Sequence, residues 1–188
     1  MSTEVNICNM ALALLGDQRI GALTDNTEAA RACNAAYTMC RDSVLRKHPW
    51  NFAIERATLA AESTGPDWGP TKSFVLPVDP YCLRVLEVRD HYDYEWSVEG
   101  RKLVGNMEVA YIKYISRKED PAEFDAAFSI ALSSYIASKI AVRLTGSNTI
   151  KRDAEREHEK DMKDARSADG QEGAVPETTS NTFLDERN

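Results

Sequence analysis

Near the middle of the chain the stretch "RDHYDYEW" brings Asp90, His91, Asp93 and Glu95 together. Carboxylates beside a histidine are what a glycosidase acid–base pair needs, or a hard divalent cation. The spacing, however, matches no known cation loop, and acid alternating with aromatic suits a polar turn at a strand edge. The polar turn is therefore the expectation. His48 precedes a proline, and His158 sits in a charged run. Neither lies in a GxSxG elbow, an HExxH pair, a phosphate-cradling P-loop or a dinucleotide glycine fingerprint. Cys8, Cys33, Cys40 and Cys82 form no CxxC pair and fall among apolar residues at helix or strand period, so they read as reduced core residues. The tyrosines Tyr81, Tyr92, Tyr94, Tyr111 and Tyr114, with Trp96, could stack bases or sugars, but cross-strand pairing explains them at lower cost. The residues thus predict no enzyme, with no catalytic group, no cofactor and no metal.

Those residues need a scaffold. A chain of 188 residues can bury enough surface for one ordinary core with a smaller module inserted. Its 43% hydrophobic and 28% charged fractions are those of a globular protein, and its apolar runs read as too short for a membrane span. The start "MSTEVNICNMALALLG" has an acid and no basic region before its apolar stretch, unlike a secretory signal, so synthesis in a cytoplasm is expected. A net charge of −7 argues against coating nucleic acid, which needs clustered lysine and arginine.

Residues 3–15 carry a broad apolar helical stripe, with Ser2 or Thr3 as cap and Gly16 as stop. A polar loop ending at Asp25, Asn26 or Thr27 caps a second helix, which runs to about Lys47. From Asn51 the period becomes that of strands, recurring in "SFVLP", "CLRVLEV", "EWSVEG", "KLVG" and "EVAYIKYI". A hairpin turns near Glu99-Gly100, and locally joined strands predict an antiparallel meander or small sandwich. Asp120-Pro121 then reads as the cap and first turn of a third helix stopped by Gly146, with Phe124, Phe128, Leu132, Ile136, Lys139 and Ile140 in its buried stripe. Between helix and sheet stands "KHPWNFA". Pro49 stops the second helix, and Trp50 and Phe52 are expected to share one face of the emerging strand.

The fourth helical stretch, about 147–168, is nearly all charge, with a thin apolar line of Ile150, Ala154, Met162 and Ala165. Arg152, Arg156, Lys160 and Lys163 form one row, and Asp153, Glu157, Asp161 and Asp164 the adjacent one. The rows either satisfy each other on a solvated helix or meet the opposite row of a neighbouring subunit. The remainder, 169–188, has a disorder-like composition with one apolar pair, Phe183-Leu184, and reads as a flexible tail that orders on a partner. The fold class is therefore α+β, a four-helix body (1–49 and 119–168) with an inserted small antiparallel sheet or sandwich (50–118) and a C-terminal tail (169–188).

The blocks "ICNMALALLG", "RIGALTDNTEAARACNAAY", "RDSVLRKHPWNFAIERATLA", "FVLPVDPYCLRVLEV" and "DPAEFDAAFSIALSSYIASKIAVRLTG", in that order, resemble the tail tubular protein A family. These are head-to-tail adaptors of T7-like short-tailed bacteriophages. The resemblance runs from about residue 4 to about residue 168. It implies a helical body with a β domain and a homo-oligomeric ring of twelve copies between the portal protein and the tail nozzle protein. DNA would pass through the channel without specific binding, the location would be the virion tail, and no membrane would be involved. It carries over no catalytic residue. As subunit or portal contacts the charge rows and the tail offer Arg152, Arg156, Lys160, Asp153, Glu157, Asp161, Phe183 and Leu184, with Pro49, Trp50 and Phe52 as the structural joint. Two other readings stand beside it: a virion-associated peptidoglycan hydrolase using Asp90, Asp93 or Glu95, and a cytoplasmic oligomer unrelated to phage.

Overall fold

The computed structural model describes residues 3–89 and 95–172. The chain is α+β, with four helices and two small antiparallel sheets among the described residues. Helix α1 spans Glu4–Leu14 and α2 spans Glu28–Lys47, capped by Thr3 and Thr27, whose hydroxyls accept from the Asn6 and Ala30 amides, both at 3.1 Å. The loop between them is pinned from inside. The buried Asn9 side chain donates to the Ile20 carbonyl at 3.0 Å and accepts from the Ile20 amide at 2.8 Å.

Six strands follow: β1 (Ile54–Ala60), β2 (Lys72–Val75), β3 (Cys82–Val88), β4 (Ser97–Glu99), β5 (Lys102–Gly105) and β6 (Val109–Ser116). They form sheets of order β1-β6-β3 and β2-β5-β4. This corrects the meander, because β4 and β5 alone pair with a sequence neighbour. Their two-residue turn uses Gly100 at φ 60°, a backbone a side chain resists, and sets Glu99 opposite Lys102. Leu59, Phe74, Val85, Leu103, Ala110, Ile112 and Tyr114, drawn from both sheets, share one core, which is a small sandwich. Strand β6 also serves the helices. Ala110, Ile112 and Tyr114 point into the sandwich, while Ile115, on the opposite face, is fully buried in the helical core.

Helix α3 spans Ala126–Thr145 and packs on α1, α2 and α4 (Asn148–Gln171). Asp120-Pro121 does not start it. That pair opens a short 3-10 turn, Pro121–Glu123, and Asp125 caps α3 by accepting from the Ala127 and Phe128 amides at 2.8 and 3.3 Å. The reason is local: Phe124 is extended and buried, so the chain bends before the helix begins. Gly146 ends the helix at φ 67°. By length and hydropathy α3 could cross a membrane, contrary to the expectation of short apolar runs, a test that core helices also pass; 61% of that window is buried within the fold. Ser129, Ser133, Ser134 and Ser138 are buried on it, each hydroxyl donating to a carbonyl one turn back at 2.7–3.1 Å. Lys139 leaves the expected stripe. It is exposed, with its ammonium 4.7 Å from the Tyr135 ring centroid.

Candidate functional site: two joints and a charged helix

The first joint lies between α2 and β1. His48 is extended, as the residue before a proline tends to be, and α2 ends at Lys47. Trp50 and Phe52 do not ride on a strand: Asn51–Ala53 is a 3-10 turn and β1 starts at Ile54. This tighter turn folds both rings back onto the helical body. Trp50 is fully buried, its indole N–H donating to the Val44 carbonyl at 3.1 Å. Its ring meets Phe128 at 5.1 Å edge-on, and Phe52 meets Phe124 and Phe128 at 6.0 and 5.1 Å.

Asp169 closes the joint from the far end of α4. Its carboxylate lies 2.9 Å from His48 Nε2 and accepts from the Asn51 amide at 2.9 Å, while its carbonyl accepts from Asn51 Nδ2 at 2.7 Å. Residues 169–171 therefore belong to the helix, and the tail boundary expected at residue 169 is corrected. Helix α4 runs on because its last turn has these partners across 118 residues of sequence, a distance no local pattern reports.

The line of Ile150, Ala154, Met162 and Ala165 on α4 has a fifth member that its apolar pattern does not include. His158, four residues after Ala154 and four before Met162, is buried with both. Its Nδ1 lies 3.0 Å from the Ala131 carbonyl and its ring 4.6 Å from Tyr135. Burial, helped by the Lys47 ammonium 3.4 Å from Nε2, pushes its pKa down to about 4. The neutral ring is thus a packing residue. Its i, i+4 placement on the thin stripe was the signal that could have found it.

The outer surface of α4 carries the two charge rows. Asp153 pairs with Arg156 at 3.2 Å and Glu157 with Lys160 at 3.1 Å, so the rows partly satisfy each other within one helix. Arg152 is exposed and bonds the Asn148 carbonyl at 3.3 Å, and Asp161 is half-buried. Phe183 and Leu184 lie outside the described residues, as do Asp90, His91 and Asp93; Glu95 is exposed. Among the described residues no group of histidine, cysteine and carboxylate side chains could hold a metal ion. All four cysteines are free and buried, and burial pushes the Cys40 thiol up to about 11.

The second joint was not foreseen. It ties α2 to the sheets through arginines. Arg41, buried on α2, and Arg117, just after β6, share the Asp42 carboxylate at 3.0 and 2.8 Å. Arg117 and Arg101 both stack on Tyr81, 4.2 and 3.9 Å from its ring centroid. Arg101 also donates to the Cys82 and Pro77 carbonyls at 2.7 Å each, and Arg46 donates to the Leu83 carbonyl. No protein-family model matches the chain, and no curated protein does either.

Proposed function

We propose that this chain is a structural head-to-tail adaptor of a short-tailed phage virion. Copies form a ring between portal and tail nozzle, and DNA passes through it without specific binding. The observation that carries this reading is the ordered series of five sequence blocks spanning most of the chain. The architecture is in keeping with it, since the sandwich is inserted between α2 and α3 of a helical body. The two joints also support it: a subunit that transmits force along a tail needs its parts held in one orientation. A net negative protein, with charge −7, would repel phosphate and let DNA slide through a conduit.

Ring contacts of this kind are heterologous, one surface meeting a different surface of the next copy. The charged rows of α4 are the assigned contact, through the exposed Arg152, Arg156, Lys160 and Asp153 and the half-buried Glu157 and Asp161. Electron microscopy of the purified protein mixed with portal rings should show an added ring on one end of the portal. A protein that stays monomeric and never binds portal sinks the reading. Reversing Arg152, Arg156 and Lys160 together to glutamate should abolish assembly and leave the circular dichroism spectrum intact. Undiminished assembly would remove those residues from the contact.

A further inference from the structure

The second joint has unused capacity. Below Tyr81 the surface opens into a groove of about 440 Å³ lined by Arg46, Arg84, Arg101 and Arg117, with no carboxylate on its walls among the described residues. In a chain of net charge −7 this is a local concentration of the opposite sign. Two of its donors are idle. The Nε–H groups of Arg84 and Arg117 are buried without an acceptor among the described residues, although a buried donor almost always has one. On the other side of Tyr81 and Arg117 lies a second groove of about 450 Å³, lined by Asp79, Glu119, Asp120 and Glu123 as well as Lys118. The two grooves share Tyr81 and Arg117 and differ in sign.

We infer that this bipolar pair of grooves is a docking site for an extended polypeptide segment of mixed charge from a partner protein. The segment's acidic residues take the arginine groove and its basic residues follow into the carboxylate groove. Guanidinium forks bind carboxylates with charge-assisted hydrogen bonds, and Arg84 and Arg117 each hold a buried Nε–H, without an acceptor among the described residues, that a turn of the side chain brings to the segment. A nucleic-acid strand fits poorly. Its charge is uniform, so phosphates continuing past Tyr81 would face four carboxylates, and a duplex is too wide to enter a groove of this size. Charge order along the segment is therefore what the site reads.

The site is independent of the adaptor reading and is tested on the full chain. The probes are a short peptide with a glutamate block followed by a lysine block, an alternating peptide of the same composition, and a DNA duplex. Proton–nitrogen spectra should show the block peptide shifting the Nε–H signals of Arg84 and Arg117. The alternating peptide should bind about tenfold more weakly. Arg84→Gln should weaken the block peptide about tenfold with an unchanged melting temperature, because the Arg84 Nε–H bonds no acceptor among the described residues. Glu119→Lys, at a position that is 71% exposed, should weaken the block peptide and strengthen binding of a glutamate-only peptide. The inference is overturned by any of three results: equal binding of block and alternating peptides, binding of DNA alone, or no shift at either Nε–H.

Discussion

The helical body and the sandwich meet at two joints built from opposite materials. At the first, Trp50, Phe52, Phe124 and Phe128 interlock, and the polar atoms around them are paired: the indole with Val44, the Asn51 side chain and amide with Asp169. At the second, Arg41, Arg101 and Arg117 converge on the Asp42 and Glu119 carboxylates, one tyrosine and a few carbonyls, and among the described residues the Arg117 Nε–H is left over. Aromatic packing gains from area removed from water and has no remaining valence once closed. Guanidinium groups keep spare donors even when stacked. A fold joined in both ways has one fastening that holds it together and another that can also recognise something.

Removing the largest element of the first joint should have the largest effect. Trp50→Ala leaves a cavity beside Phe128 and strands the Val44 carbonyl, and should cost roughly 3–5 kcal/mol in chemical denaturation. Retention of wild-type stability would mean that the joint is closed by Phe52 and Phe128 alone.

Acid should loosen the same region from behind. His158 has its folded pKa pushed down to about 4 by burial, below the ordinary value of 6.5, so folding favours the neutral ring. Its stabilising share is complete above about pH 6.5 and is lost as the pH falls through about 4, a change on the order of 3 kcal/mol. Melting temperatures across that window should fall more steeply for the wild type than for His158→Gln. Parallel slopes would show that other groups govern the acid limb.

Asp169→Ala comes next. It removes the His48 contact and the carboxylate that the Asn51 amide donates to, and should cost about 2 kcal/mol, read as a lowered urea midpoint. The mutant should also fray the last turn of α4, measurable as faster amide exchange near residues 168–171.

The smallest effect is expected at the second joint. Arg117→Gln breaks a part-exposed ion pair to Asp42 and a stacking contact with Tyr81, worth about 1 kcal/mol together. If that change proved as damaging as Trp50→Ala, the division of labour between the two joints would collapse.

Much of the architecture was legible locally. The stop at Gly146, the hairpin at Gly100 and the break at Pro49 follow from which residues the backbone tolerates at each position, while the caps were narrowed to Ser2 or Thr3 and to Asp25, Asn26 or Thr27, of which Thr3 and Thr27 serve. The candidate contact residues of α4 could be named as rows, because residues four apart share a helix face. Trp50 and Phe52 were misplaced onto a strand, since alternation over a few residues reads the same in a 3-10 turn that folds two rings inward.

What the sequence by itself determined is the α+β class and the order of its elements, because helix and strand periods and their caps are properties of neighbouring residues. Only the tertiary structure decided that β6 lies between β1 and β3, that Asp169 fastens His48 and Asn51, that His158 is buried, and that four arginines gather beside Tyr81. Each of these is a meeting of residues far apart in the chain. Such meetings depend on how whole elements pack, and no local period or composition records them.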